Sequence, residues 1–334
     1  MRDGADAWRP TAGASALRDR ARLLACIRAF FADRHALEVE TPVLSRAGNS
    51  DPGIRQFVTA DGRRLRTSPE YPMKRLLAAG AGDIYELGRV FRAGEAGAVH
   101  NPEFTMLEWY RVGWSFDALM DEVAALVDHC SEAFGRRWRT RRVTWRDWIG
   151  EATGLDPLEA DASAIAARLR AAGVDTTGLD GDAAGRAGLE AREALDRDGW
   201  LDLLVARVVQ PAQDPDTLSL VSLYPASQAA LARLHPPDRR LAERFEAFLG
   251  PVELANGYQE LTDPVEQRRR FERENARRRA AGDPEAPLDE ALLAALAAGL
   301  PECAGVALGV DRLLMALIGA DQLASVLPFP ADRA

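Results

Sequence analysis

The stretch from Arg92 to Tyr110 constrains this chain most. An arginine is followed eight residues later by the block His100-Asn101-Pro102-Glu103-Phe104-Thr105-Met106-Leu107-Glu108-Trp109-Tyr110. On an extended strand side chains alternate, so Phe104, Met106, Glu108 and Tyr110 share one face and Thr105, Leu107 and Trp109 the other. A strand built only to pack is apolar on both faces or alternates cleanly, and Glu108 among Phe, Met and Tyr fits neither pattern. A carboxylate and a phenol beside an aromatic ring read as a cation pocket. Upstream, Asp83 to Arg92 reads as a second strand, and the intervening residues are short, small and glycine-bearing. The two strands should pair antiparallel with Arg92 and Phe104 facing one cleft. An arginine, a histidine and a flat aromatic there suit a nucleotide.

Phe91-Arg92, a flexible loop and then this block are similar to motif 2 of the class II aminoacyl-tRNA synthetases, in their lysyl branch, here about residues 83–111. Ser15 to Ala36 carries Leu17, Ala21, Leu24, Ile27 and Phe31 at helical spacing, and the strand-like Leu37 to Pro42 follows. That segment, about 15–45, resembles motif 1, the family's dimer interface; an ordinary helix packed on a strand is the alternative. Gly305 to Val310 runs into Asp311 to Ile318, where Asp311 is placed to cap a helix with the apolar face Leu313, Leu314, Leu317 and Ile318. About 303–330 therefore resembles motif 3. Arg312 in the first turn opposes the helix dipole, so helix stability does not explain it. The resemblance does: the motif 3 arginine lies over adenine while Phe104 covers the other face. Gly305, Ala307 and Gly309 would let the strand approach the ligand.

Residue by residue, the resemblance implies an ATP site of Arg92, Ala93, Gly94, His100, Asn101, Phe104, Glu253, Leu254, Gly309 and Arg312. It implies an amino-acid site of Ser68, Pro69, Glu70, Glu108, Tyr110, Glu260 and Ala307, with Arg92, Glu253, Glu260 and Arg312 carrying the chemistry. Glu253 and Glu260 are seven apart, which puts them on opposite faces of a regular strand, but Asn256-Gly257 is a turn or bulge signal that can re-aim the second. The resemblance makes these two glutamates Mg²⁺ ligands; the residues alone suggest exposed glutamates flanking a hairpin. One departure stands out. The family has Phe-Arg-Asn-Glu where this chain has Phe91-Arg92-Ala93-Gly94, with Glu95 one position late.

The chain has 334 residues, 47% hydrophobic and 28% charged, enough for one large core. The expected architecture is α+β: a single class II catalytic domain over 1–334, an antiparallel sheet flanked by helices, with a helical insertion about 151–210. Lysyl-tRNA synthetases carry an oligonucleotide-binding barrel before motif 1; motif 1 begins here by residue 15, so no anticodon reader is expected. A net charge of −9 also argues against a nucleic-acid partner. The basic run Arg268 to Arg279 is interleaved with glutamates and reads as a solvated helix face, or else as a docking surface for an acidic partner. Cys26, Cys130 and Cys303 have neither disulfide nor zinc spacing. No run reaches membrane length and the N-terminus lacks a signal-peptide core, so a cytoplasmic location is expected.

Three segments resemble a barrel-less paralog family, the elongation factor P (R)-β-lysine ligases. Ser68-Pro69-Glu70-Tyr71-Pro72-Met73-Lys74-Arg75 matches with Pro72 replacing His. Tyr224-Pro225-Ala226-Ser227-Gln228-Ala229 matches Phe-Pro-Ala-Ser-Gln-Ala. Ala307 stands where lysyl synthetases have glycine. The resemblance implies a homodimer that uses ATP and Mg²⁺ to adenylate (R)-β-lysine and passes it to a lysine of elongation factor P. In that scheme Glu108 and Tyr110 hold the ε-ammonium, Glu70 the nearer amine, and His100 with other positive groups steers pyrophosphate. A truncated synthetase acting on tRNA and an impaired regulatory paralog are the alternatives. Lys74, the only lysine of the chain, invites a catalytic role, but beside Met73 and Leu76 it reads as structural.

Overall fold

The computed structural model describes residues 8–179 and 195–334. In chain order the elements are helix α1 (Ala14–Ala32), strands β1 (Leu37–Glu38), β2 (Leu44–Ser45) and β3 (Arg64–Leu65), helix α2 (Glu70–Ala78), strands β4 (Ile84–Phe91) and β5 (Glu103–Val112), and helix α3 (Phe116–Ala133). Strand β6 (Arg139–Thr144) and helices α4 (Trp145–Thr153), α5 (Ala162–Ala171) and α6 (Arg197–Leu204) follow. Strands β7 (Thr217–Pro225), β8 (Leu241–Leu249) and β9 (Val252–Gln259), helices α7 (Pro264–Ala280) and α8 (Glu290–Gly299), strand β10 (Cys303–Gly309) and helix α9 (Val310–Ile318) complete the chain. The class is α+β with mostly antiparallel strands, as expected. Among the described residues no helix is long and apolar enough to cross a membrane.

The chain forms two compact units. The first comprises Met1–Arg137, Ala230–Arg233 and Leu254–Ala334. Its strand order is β1-β4-β5-β10-β9, parallel at β1–β4 and antiparallel elsewhere. The expected β4–β5 pair is present, with Val90 opposite Phe104 and Ile84 opposite Tyr110. Glu108 and Tyr110 do share a face. On the other, Trp109 Nε1 donates to Glu122 of α3 at 3.0 Å, and Arg111 pairs with the same carboxylate. Beside the strands, Met73, Leu77, Tyr110, Phe271, Leu292 and Leu296 pack into one apolar cluster.

Four expectations on this unit need correction. The buried stripe of α1 is Leu23, Ile27, Phe30 and Phe31, because Phe31 stacks on Tyr85 with ring centroids 4.5 Å apart; Leu17 and Ala21 are exposed and Leu24 half-buried. Asp311 does not cap α9. Gly309 holds the N-cap position, and the Asp311 carboxylate instead accepts from Arg20 of α1 and, at 2.7 Å, from the Thr105 N–H of β5, tying three elements together. Asn256-Gly257 makes no turn: Asn256 pairs with Ala307 and Gly257 with Val306 in an unbroken ladder, since the neighbouring strand supplies the hydrogen bonds a turn would have to make locally. Finally, the basic run is not simply a solvated face. Arg270 and Arg278 turn inward, Arg270 to the carbonyls of Ala230 and Ala232 and Arg278 to those of Ser50, Asp51 and Ile54, while Arg268, Arg269 and Arg279 pair with Glu290, Glu266 and Glu285.

The second unit comprises Trp138–Ala229 and Leu234–Glu253. β7 lies between β8, antiparallel, and β6, parallel. Trp145, Trp148, Ile165, Leu169, Trp200 and Leu204 bring α4, α5 and α6 together over Val221 and Phe248. The expected helical insertion lies here, though α4 begins earlier, at Trp145, and residues 180–194 fall outside the described residues. Ser227 and Gln228 of the diagnostic Tyr224–Ala229 segment donate to Asp198 and Asp202 on one face of α6, at 2.9 and 2.8 Å.

Candidate active site

The first unit gathers the amino-acid residues into a buried pocket. Glu108 of β5 lies between two donors, the Tyr110 hydroxyl at 2.7 Å and the Ser68 hydroxyl at 2.6 Å. Ser68 also accepts from the Glu70 N–H at 2.9 Å, which fixes the start of α2. Pro69 occupies the N-cap position there and is itself buried. One helical turn on from Glu70 stands Lys74, whose ammonium lies 2.6 Å from Glu70 and 2.6 Å from Glu260. Lys74, Glu108 and Glu260 are each at most 2% exposed. The lysine read as structural is thus a member of the pocket.

Two strand neighbours shape the floor. Gly305 stands opposite Tyr110, and Ala307 opposite Glu108. A Cβ on Gly305 would lie 2.3 Å from the Tyr110 ring and 2.5 Å from Glu260 Oε1, so this position needs glycine for the sake of its neighbours. Asn256 and Tyr258 of β9 lie opposite Ala307 and Gly305, which adds them to the floor. Sequence reading gave Asn256 to a turn and passed over Tyr258; the alternation along β9 was the available signal.

The electrostatics follow from burial. Two carboxylates, Glu70 and Glu260, flank one fixed cation, Lys74, and both act on the third, Glu108, through their charge. Burial, then the charge of Glu70, pushes the Glu108 carboxyl up to about 8. Burial raises Glu260 too, to about 7, against the opposing pull of the Lys74 ammonium. Burial alone would lower Lys74, but Glu260 and Glu70 outweigh it and hold the ammonium above its ordinary range. Glu260 Oε1 accepts no hydrogen bond. A pocket with more carboxyl groups than internal cations is completed by ligand cations, which displace the protons that burial puts on those groups.

The nucleotide residues lie around the β4–β5 loop. The Arg92 guanidinium sits over the Phe104 ring at 5.2 Å, so the expected pairing in one cleft holds. Its Nε–H is buried without an acceptor, and Nη1 is 3.9 Å from Glu95. Gly94 has φ +81, a left-handed turn that brings Glu95 round toward Arg92. Ala93 N–H donates to the Arg55 carbonyl at 2.9 Å. Asn101 is used inside the protein, donating to Glu103 O at 2.6 Å and accepting from Ala331 N–H at 2.9 Å. Arg312 Nη2 lies 2.8 Å from His100 Nε2, and its Nε donates to Val99 O at 3.3 Å. Burial and then the Arg312 charge lower the His100 pKa, and a ring nitrogen that accepts from a guanidinium is unprotonated. His100 is therefore a neutral holder of Arg312 and not one of the positive groups. The Leu254 carbonyl lies 3.8 Å from where a Gly309 side chain would begin.

Glu253 belongs to the second unit. There its charge adds to the upward shift that burial gives Glu246, whose carboxylate accepts from the Tyr224 hydroxyl at 2.8 Å and pairs with Arg244. Among the described residues no group of three or more His, Cys, Asp or Glu is arranged to hold a metal by itself.

Over residues 5–333 the sequence matches the family tRNA synthetases class II (D, K and N). It is 44% identical over 339 residues to the elongation factor P--(R)-beta-lysine ligase of Vibrio cholerae, with 98% of each chain covered. The proteins of the same name from Yersinia enterocolitica and Sodalis glossinidius are 45% identical over 336 residues, at 98% coverage of each chain, and 46% identical over 346 residues, at 100%.

Proposed function

Because the chain belongs to the class II tRNA synthetases and, within them, to the family of elongation factor P (R)-β-lysine ligases, we propose that it activates (R)-β-lysine with ATP and transfers it to a lysine of elongation factor P. The observation that carries the substrate reading is the pocket of Glu70, Glu108 and Glu260, in which the one internal ammonium, Lys74, pairs with Glu70 and Glu260. A diamino acid brings two ammonium groups. One pairs with Glu108, oriented by Ser68 and Tyr110, and the other with the Glu70–Glu260 end.

The substrate carboxylate then attacks the α-phosphorus of ATP, forming the aminoacyl adenylate and releasing pyrophosphate. Negative charge grows on the non-bridging oxygens, and Arg92, with a buried Nε–H that lacks an acceptor, is the group to meet it. A fixed donor of this kind is worth about 3 to 4 kcal/mol. Phe104 and Arg312 cover the two faces of adenine, with neutral His100 holding the guanidinium in place. The acceptor lysine attacks the adenylate carbonyl as a free amine, and AMP leaves.

Glu260 is a residue that would hold Mg²⁺ in the same proposal, since its hard carboxylate oxygens fit the ion. Glu253, the other glutamate the resemblance implies, lies in the second unit. When bound, the ion would supply positive charge to offset that of the phosphates. A homodimer is part of the same proposal, supported by Leu17, Leu37 and Val43 of the motif 1 region, exposed at 39%, 56% and 40%. A cytoplasmic location belongs to the same proposal, because the acceptor is a translation factor.

The test supplies ATP and radiolabelled (R)-β-lysine with purified elongation factor P or with total tRNA. Label on one lysine of the factor is expected. Label in the tRNA fraction and none on the protein sinks the proposal.

A further inference from the structure

Lys74 joins two carboxylates that reach the pocket from different parts of the chain. Glu70 comes from the first turn of α2 and Glu260 from the residue after β9, and the Lys74 ammonium stands 2.6 Å from an oxygen of each. The lysine side chain is 2% exposed and Glu260 1%, whereas Glu70 is 16% exposed and so has a route toward water. Two carboxylates in a buried space repel each other. The ammonium between them is what keeps Glu70 turned inward and Glu260 in one orientation. With Glu260 Oε2 committed to Lys74, Oε1 remains without a donor, beside Gly305 and the Tyr110 ring.

We infer that Lys74 is a positioning and specificity-determining residue of the amino-acid site: an internal ammonium that occupies one of two cation places between Glu70 and Glu260 and leaves the other for a single substrate amine. It does not touch the reacting carboxylate. Its effect is to set how many ammonium groups this end of the pocket takes and where the one it takes must stand. A neutral side chain at position 74 leaves two buried carboxylates and no fixed cation, so a second small cation becomes a ligand.

The inference rests on the proposed adenylation of (R)-β-lysine, so wild-type ATP–pyrophosphate exchange is read first, with α-lysine and (R)-β-lysine side by side. Exchange with α-lysine alone overturns that substrate reading, and the Lys74 variants are then read with α-lysine. Lys74→Ala should raise the KM for the amino acid by about tenfold or more, as removal of one partner of a buried charge pair does, with the KM for ATP within about twofold of wild type. Millimolar n-propylammonium, which replaces the missing stem and charge, should restore most of the loss. 1-Propanol, of similar size but uncharged, should not. Lys74→Met keeps the side-chain volume and shows the same split between the two KM values if the alanine variant fails to fold. An unchanged amino-acid KM, a parallel rise in both KM values, or equal recovery with propanol overturns the inference.

Discussion

Ala307 stands directly opposite Glu108 in the β5–β10 ladder, and opposite residues of an antiparallel pair lie on one face with their Cβ atoms about 5 Å apart. The extra methyl that distinguishes this chain from lysyl-tRNA synthetases therefore sits beside the carboxylate proposed to hold the ε-ammonium. Ala307→Gly should raise the use of α-lysine relative to (R)-β-lysine in pyrophosphate exchange. Equal exchange rates with the two amino acids in the unmutated protein would falsify this account of selectivity.

Glu108→Gln should cost most of the activity while the fold persists, because the amide oxygen still accepts from one of the two hydroxyls and the NH2 can donate to the other, but the side chain no longer pairs with an ammonium. Losing one partner of a desolvated charge pair costs about 3–5 kcal/mol, roughly a hundred-fold to several thousand-fold in affinity. Near-normal amino-acid binding by calorimetry removes Glu108 from the site.

The upward shift of Glu108 also gives a pH dependence with a definite sign. In the empty pocket the carboxyl is pushed up to about 8 by burial and by Glu70, so near pH 7 it carries a proton that an arriving ammonium must displace. Amino-acid affinity should rise as pH increases through about 8. Stability of the ligand-free protein should run the other way: between the ordinary carboxylate value and about 8 the folded state holds a proton that the unfolded state has released, so rising pH weakens the fold. Melting temperature and dissociation constant measured from pH 6 to 9 decide it; a flat affinity profile counts against the assignment.

Gly305→Ala places a methyl 2.3 Å from the Tyr110 ring and 2.5 Å from Glu260 Oε1. Both neighbours are buried, so relief comes only by moving the ring or the carboxylate. A loss of about 1–3 kcal/mol in stability is expected from such overpacking, with amino-acid KM raised and ATP binding kept. A variant with wild-type melting temperature and kinetics shows that the floor has more room than the structure gives it.

Glu95 is the candidate replacement for the glutamate that the family carries at the position of Gly94. Its carboxylate is 3.9 Å from Arg92, at the nucleotide end. Glu95→Ala should weaken ATP binding by more than the about 0.5 kcal/mol of a typical surface change, and restoring the family pattern with Gly94→Glu should not add to wild-type affinity. No exchange with any lysine isomer in the unmutated protein would instead indicate an impaired paralog.

What the sequence determined was local in its logic. Alternation along residues 103–112 put Glu108 and Tyr110 on one face and Trp109 on the other, and the small residues of the intervening loop required β4 and β5 to pair. Ordered motifs identified the family because backbone-level chemistry of this kind is written in contiguous residues. Tertiary structure decided what depended on partners far along the chain. Lys74 looks like any helix residue until Glu260 is brought to it, His100 looks cationic until Arg312 donates to it, and Asp311 looks like a cap until Arg20 and the Thr105 N–H claim its carboxylate. Asn256-Gly257 reads as a turn only while β10 is absent. Charge state, burial and hydrogen-bond satisfaction are properties of an environment, and that environment is assembled from segments whose proximity no local pattern records.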